Sequence, residues 1–311
     1  MRKNFAAVCA GMLLLALAGC TAAGDGAASQ SASTLEQAAQ TEPAAEPEQT
    51  AETDPAATEA PEQQVTLAET VLYDQDGVRI TATGLDMQAV LGPELSFQVE
   101  NNTQQNLVVQ PEWCTVNGYM MSDLFSADVA AGKKANDTMY FPSSSLERCG
   151  IDTVTDIAME LKILDGETYQ TLATTGTVTL QTSAAGSYTQ TYDDSGEEIY
   201  NANGIRVVMQ RQAEDLFGQE IHFYLENTSD RAVVVQSEDV SVNGYMISNW
   251  LYADLIPGAH AVEALTLFTS DMEENGIETI ETVELALNIV DAETYQTIEK
   301  TAPITLQMGQ E

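Results

Sequence analysis

Apolar and polar residues alternate along several short stretches of the chain, and these stretches occur in two sets. In the first set the apolar positions are Leu95, Phe97 and Val99, and further on Ile157, Met159, Leu161 and Ile163. In the second set they are Ile221, Phe223 and Leu225, and further on Val283, Leu285, Leu287 and Ile289. Successive side chains of a strand point to opposite faces, so this period of two predicts β-strands with one buried face.

The two sets belong to an internal duplication. From Gly92 and Gly218 the two halves align without a gap to Gln181 and Gln307, so that VENNTQQNLVVQ meets LENTSDRAVVVQ. Upstream, DQDGVRI meets NANGIRV after a shift of one residue. A repeated unit of about 115 residues is long enough to bury a core of its own. We therefore predict two tandem globular domains, residues 67–182 (repeat 1) and 188–311 (repeat 2), joined by a linker at residues 183–187.

The five residues VNGYM occur in both repeats, at positions 116–120 and 242–246. Asn-Gly is favoured at the centre of a type I′ hairpin turn because both central residues need a positive φ. The motif therefore predicts a structural turn in each repeat, with a repeated ligand-binding loop as the alternative. The turn residues are Asn117, Gly118, Asn243 and Gly244. Because the residues paired across each turn are apolar, Tyr119 and Tyr245 are both predicted to lie in a core.

Each repeat also contains one predicted helical turn. Residues 144–147 and 270–273 fit the S-x-x-E capping box, and Gly150 or Gly276 follows where a C-cap glycine would end the helix. About seven or eight short strands per repeat, with frequent turns, are typical of an immunoglobulin-like sandwich. The predicted fold class is all-β: two tandem immunoglobulin-like β-sandwich domains, each with one short helical turn.

Residues 1–19 predict a signal for export. Arg2 and Lys3 precede an apolar run at residues 5–16, which is too short for a stable membrane span. The LAGC that follows, residues 17–20, resembles the lipobox of bacterial lipoproteins. This resemblance implies cleavage before Cys20 and a diacylglyceryl group on its sulfur, which would anchor the protein at the extracytoplasmic face of the cell membrane. The alternative is an ordinary secreted protein with an incidental cysteine.

Residues 20–66 predict a disordered linker. From residue 21 onward this segment is rich in Ala, Thr, Glu, Gln and Pro and contains neither a basic nor an aromatic residue. It cannot bury enough apolar surface to offset its chain entropy. Its expected role is to hold the two repeats away from the membrane.

Several of these features occur together in one known group of proteins. The lipobox, the acidic linker and the repeated ENN or ENT, VNGYM and ETYQT motifs are similar to those of uncharacterised Gram-positive surface lipoproteins with immunoglobulin-like extracellular domains. The resemblance covers both repeats and implies their location and fold. It supplies no catalytic residue.

The formal charge of -37, with only 11 Lys and Arg residues, makes nucleic acid an unsuitable partner. Binding to phosphates requires clustered basic residues, which this chain does not have. Beyond the membrane, the expected partner is therefore an unknown extracellular protein or envelope ligand.

Short acidic turns near the start of each repeat are candidate calcium ligands, since Ca²⁺ prefers carboxylate and carbonyl oxygens. The residues are Asp74, Asp76, Asp193 and Asp194. The full calcium-loop pattern is missing, and Asp-x-Asp-Gly is also an ordinary hairpin signal. Calcium is thus one possible cofactor, and a plain turn is the alternative; no other cofactor is predicted.

Cys114 and Cys149 align with Val240 and Asn275, so repeat 2 lacks both cysteines. Loss of both together is what a disulfide predicts, and export permits oxidation. We predict a structural disulfide, with two unrelated thiols as the alternative.

No catalytic residue is predicted. The only histidines are His222 and His260, which both look exposed and have no second ligand at metal-binding spacing. The predicted function is that of a lipid-anchored, non-enzymatic surface protein that binds or acts as a spacer through its tandem domains. A calcium-dependent envelope enzyme or accessory subunit is the alternative.

Overall fold

A computed structural model describes residues 64–121 and 125–309, in which the predicted alternating stretches form strands. In repeat 1 the elements are β1 Thr70–Gln75, β2 Val78–Asp86, β3 Glu94–Asn101, β4 Leu107–Val116, β5 Tyr119–Met120, β6 Ala127–Val129, β7 Lys133–Tyr140, α1 Ser143–Arg148, β8 Asp156–Asp165, β9 Thr171–Thr174 and β10 Val178–Gln181. In repeat 2 they are β11 Glu197–Ala202, β12 Ile205–Glu214, β13 Gly218–Asn227, β14 Val233–Val242, β15 Tyr245–Met246, β16 Tyr252–Leu255, β17 His260–Phe268, α2 Thr269–Glu274, β18 Thr282–Asp291, β19 Thr297–Lys300 and β20 Ile304–Gln307. The signal peptide, Cys20 and residues 20–63 of the predicted linker lie outside the described residues.

Repeat 1 contains two antiparallel sheets. One has the order β1-β2-β3-β7, and the other has the order β10-β8-β4-β5, with β6 beside β4 and β9 beside β8. If β2, β3 and β7 are compared with strands A, B and E of an immunoglobulin domain, then β4, β8 and β10 take the places of strands C, F and G. The chain changes sheets between β3 and β4, and again through α1 between β7 and β8.

Repeat 2 has the same strand order. Its first sheet is β11-β12-β13-β17, and its second is β15-β14-β18-β19, with β16 beside β14 and β20 beside β18. The prediction of an all-β fold with sandwich-like sheets and one short helical turn in each repeat is therefore confirmed.

Each repeat encloses its own apolar core. Phe97, Val99 and Leu161 are among the buried residues of the first core, and Phe223 and Leu287 are among those of the second. Burying one such side chain contributes about 1.5–3 kcal/mol, so the inward rows of both sheets dominate the stability of each sandwich.

The repeated ENN and ENT motifs hold the turn that follows β3 or β13. Asn101 is fully buried, and its Nδ2 donates to the backbone oxygens of Gln105 and Val129, each at 2.9 Å. Asn227 makes the same two bonds, to Arg231 and Leu255. These asparagines satisfy buried carbonyls and are structural residues.

The helices end as predicted and begin differently. Gly150 and Gly276 follow the two helices with φ of 62° and 66°, the left-handed conformation expected after a helix C-terminus. The capping-box prediction is wrong, because α1 and α2 follow Pro142 and Phe268 directly and have no side-chain cap. Each helix starts straight from extended backbone, which places the serines of the motif inside the first turn. Within the described residues, neither helix has the length and apolar character needed to cross a membrane.

Candidate functional site

The VNGYM turn of repeat 1 joins the two repeats. Asn117 and Gly118 have φ of 50° and 81°, the geometry of a type I′ turn. The backbone N–H of His260 donates to the Gly118 carbonyl at 3.0 Å, and His260 lies opposite Tyr119 in a parallel bridge between β17 and β5. The second sheet of repeat 1 thereby continues into the first sheet of repeat 2.

An aromatic cluster of Tyr119, Tyr192, Tyr224 and His260 fills this inter-repeat junction. Tyr192 stacks on His260 with ring centroids 3.8 Å apart, and Tyr119 meets Tyr192 edge-on at 5.2 Å. A hydrogen bond of 2.7 Å links Tyr224 Oη to His260 Nδ1. Burial raises the pKa of Tyr119 and lowers the pKa of His260, so both groups remain neutral at pH 7. The junction therefore combines uncharged aromatic packing with hydrogen bonds.

The segment after the predicted linker packs into the same junction. Tyr192 Oη donates to the carbonyl of Asn117 at 3.1 Å, and Asn117 Nδ2 donates to Gln190 Oε1 at 3.1 Å. A Cβ at Gly118 would lie 2.5 Å from the Tyr192 hydroxyl, which is closer than real contacts allow. The glycine is thus required both by the turn and by the chain packed against it.

The same hairpin is exposed in repeat 2. Asn243 and Gly244 have the same turn geometry, with φ of 49° and 85°. Tyr119 is 1% exposed, whereas Tyr245 is 51%, Met246 63% and Trp250 61% exposed. The prediction that Tyr245 is a core residue is wrong: its equivalent, Tyr119, owes its burial partly to Tyr192 and His260 in the second repeat. We call Tyr245, Met246 and Trp250 the exposed hairpin face.

A cleft of about 520 Å³ opens between the repeats, beside the junction. Its walls come from β4 and β5 of repeat 1 and from β14, β16 and β17 of repeat 2. The carboxylates and aromatic rings that line it are Glu112, Asp254, Glu263, Trp113, Tyr252 and Tyr295. The described residues lining this inter-repeat cleft include no Lys, Arg or His.

Two of these carboxyl groups have perturbed acidity. Burial raises the pKa of Glu263 to about 7, while Arg148 opposes the shift and Asp254 adds to it. Burial also raises the pKa of Asp254, which accepts a hydrogen bond of 3.2 Å from the Tyr252 hydroxyl. Perturbed carboxyl groups inside a cleft mark a candidate binding site.

The four predicted calcium ligands do not form a site. Asp74 pairs with Arg79 at 3.0 Å, and Asp194 pairs with Arg206 at 2.7 Å. Asp193 accepts bonds from the hydroxyl and the backbone of Ser195, which lower its pKa. Across residues 64–121 and 125–309, no group of three or more such side chains lies close enough to hold a metal ion. These aspartates, including Asp76 in its hairpin turn, serve local structure in the described residues.

The predicted disulfide is not present. Cys114 and Cys149 are both buried, and no bond joins them. Cys114 lines the inter-repeat cleft, whereas Cys149 directly follows α1 and lies close to the backbone of Val262 in repeat 2. Burial raises the pKa of the Cys149 thiol to about 12. The disulfide was inferred because repeat 2 lacks both cysteines. That inference did not consider that Cys149 packs against the second repeat.

The histidines are less exposed than the sequence indicated. His222 is buried, with hydrogen bonds to Arg211 at 3.1 Å and Glu220 at 2.7 Å, and burial lowers its pKa. Each imidazole therefore has a structural role in the sheet or at the junction. The acidic residues of the cleft were not predicted, although Glu263 interrupts an inward row of apolar residues between Ala261 and Leu265, which is a readable signal.

No family model and no curated protein matches this chain. Among solved structures, the YadV chaperone is 9% identical over 68% of this chain and 92% of that chain, with a TM-score of 0.21. Red sea bream transglutaminase is 10% identical, with 79% of this chain and 31% of that chain covered and a TM-score of 0.22. The exo-chitosanase CsxA of Amycolatopsis orientalis is 14% identical over 72% and 26% of the two chains, with a TM-score of 0.21. The chain thus spans less than a third of the last two proteins, and likenesses this weak carry no argument.

Proposed function

We propose that this chain is a lipid-anchored, non-enzymatic cell-surface protein that binds a protein partner through the exposed hairpin face. The lipobox-like LAGC and the acidic segment after it support an anchor and a spacer. The two repeats are joined through the aromatic junction, and the hairpin face of repeat 2 stays exposed.

The observation that carries this proposal is the contrast between the two VNGYM hairpins. In repeat 1 the hairpin is buried against a β-sheet of another domain, with Tyr119 packed against His260. In repeat 2 the equivalent tyrosine, together with Met246 and Trp250, is exposed. Exposed aromatic residues and methionine are enriched at protein-binding surfaces.

The repeat 1 hairpin also indicates the chemistry of the partner. The sheet face that it contacts offers Val208, Tyr224 and Val262, which belong to the same buried cluster as the core of repeat 1. We infer that the partner presents a β-sheet face of similar aliphatic and aromatic character.

A second copy of this chain is a poor match for that role. By strand register, the positions of repeat 1 that correspond to Val208, Tyr224 and Val262 are Thr81, Gln98 and Asn136. Gln98 and Asn136 are hydrogen-bonded to each other at 3.1 Å. Covering such polar groups with an apolar hairpin would cost their hydration.

Photo-crosslinking in cells that express the chain tests this surface. A photoreactive residue in place of Tyr245 is expected to give a covalent adduct whose partner peptide is a strand bearing aliphatic and aromatic residues. The matched control places the photoreactive residue at Tyr169 of repeat 1, which aligns with Tyr295 of repeat 2. Tyr169 is about as exposed as Tyr245 and should give no such adduct.

Three results would contradict the proposal: equal adducts at both positions, an adduct with a second copy of the chain, or no adduct at Tyr245. Addition of a chelator should leave the adduct unchanged. Its loss on chelation would instead favour the calcium-dependent alternative.

A further inference from the structure

The inter-repeat cleft has the size and lining of a small-molecule site. Its volume of about 520 Å³ lies in the range of ligand pockets. The cleft exists only because the two repeats meet, since its walls come from both. It is separate from the exposed hairpin face, so the proposed protein partner would not occupy it.

Glu263 occupies an unusual position in this cleft. Along β17 it lies on the same face as Ala261 and Leu265, both fully buried in the core of repeat 2. The residue is half-buried, and burial raises the pKa of its carboxyl group to about 7. Among the described residues, Arg148 is the positive group whose charge acts on this carboxylate and lowers its pKa, against the effect of burial. A partly desolvated carboxylate in the wall of a cleft is costly to fold, which points to a role in binding.

The equivalent acid in repeat 1 shows the contrast. Asp137 is the counterpart of Glu263, and its carboxylate accepts a hydrogen bond of 2.8 Å from the backbone of Thr138. Asp137 is therefore a matched control for Glu263.

Aromatic rings complete the lining. Tyr252 lies beside Asp254, Tyr295 is 78% exposed at the rim, and Trp113 is half-buried in the opposite wall. Glu112, the third acid, pairs with Lys162, whose amine does not line the cleft. Aromatic faces and carboxylates both attract organic cations, whereas anions would meet only negative groups.

We propose that the inter-repeat cleft binds a small organic cation with an apolar body, such as an aryl-substituted amine or quaternary ammonium, with Glu263 as its counter-ion. The rings of Trp113, Tyr252 and Tyr295 contact the apolar body of the ligand, and their faces attract its positive charge. A bound cation places a positive charge in the cleft beside Glu263, in addition to the charge of Arg148.

Tryptophan fluorescence offers a direct test, because the chain contains only two tryptophans. In the full chain with Trp250→Phe, Trp113 is the sole reporter and lies in the cleft. Benzyltrimethylammonium at about 150 mM salt, where surface charges are screened, is expected to change this fluorescence saturably with one site per chain. Glu263→Gln should weaken binding at least tenfold, and Tyr295→Ala severalfold, whereas Asp137→Asn should change it less than twofold. The uncharged analogue 2-phenylethanol should not compete.

The proposal is overturned if the signal does not saturate, if 2-phenylethanol binds as well, or if Glu263→Gln binds like the parent chain.

Melting temperature gives a second readout, since the cation should raise it in the parent and not in Glu263→Gln. Without ligand, the raised pKa of Glu263 means that the folded state holds an extra proton between about pH 4.5 and 7, so stability is lost as pH rises through that window. Glu263→Gln should therefore melt higher than the parent at pH 8 and equally at pH 4. A variant that melts lower at pH 8 would show a structural carboxylate and contradict the assignment. Arg148, Asp254 and Cys149 are the other titratable groups facing Glu263.

Discussion

Replacing Tyr119 with alanine is expected to lower the free energy of unfolding by about 3–5 kcal/mol, the range found when large core aromatics are truncated. Tyr119 is fully buried, and its ring contacts both Tyr192 and His260. The change removes packing within repeat 1 and across the junction together. Denaturant unfolding, followed by fluorescence, measures the loss.

The same substitution at Tyr245 is the matched control, because it occupies the identical place in the second VNGYM motif. Tyr245 is half exposed, so Tyr245→Ala should cost less than about 0.5 kcal/mol. Equal losses at the two positions would mean that the hairpins play the same role. That result would contradict a junction in which, of the two VNGYM hairpins, only that of repeat 1 takes part.

Replacing Cys20 with serine is expected to move nearly all of the protein from the membrane fraction to the soluble fraction. Stable anchoring needs two acyl chains or an equivalent second signal, and serine cannot carry a thioether-linked diacylglyceryl group. Mass spectrometry of the mature N-terminus, together with cell fractionation, measures this result.

Cys9→Ser is the matched control, because Cys9 lies within the predicted signal peptide and is removed with it. It should leave the membrane fraction unchanged. Retention of Cys20→Ser in the membrane, or a mature N-terminus other than residue 20, would contradict the predicted anchor.

The fold could be predicted from the sequence because its main signals are local. The alternation around Phe97 and Phe223 indicates strands, and Asn-Gly at Asn117 and Asn243 indicates turns, without knowledge of distant contacts. The duplication adds independent support, since each signal occurs twice at corresponding positions.

The site could not be predicted, because it depends on how the repeats meet. Tyr119 and Tyr245 are identical in local sequence, and only the contact with His260, which is distant in the chain, separates a buried ring from an exposed one. The cleft joins Trp113 of one repeat to Tyr295 of the other. The capping box at Ser144 and the Cys114–Cys149 disulfide were inferred from spacing alone. The helix of the capping box begins directly from extended backbone, and Cys149 packs against the second repeat. Neither of these three-dimensional contacts can be read from residue spacing.

Both the aromatic junction and the inter-repeat cleft require that the two repeats form one rigid unit through the first VNGYM hairpin. Double electron–electron resonance between spin-labelled non-natural residues in place of Val90 and Leu216, both highly exposed, measures this directly. A single narrow distance distribution is expected for the full chain, and a broad one for Tyr119→Ala. A broad distribution in the chain with an unaltered hairpin would show that the repeats move independently. That result would contradict both the junction and the cleft.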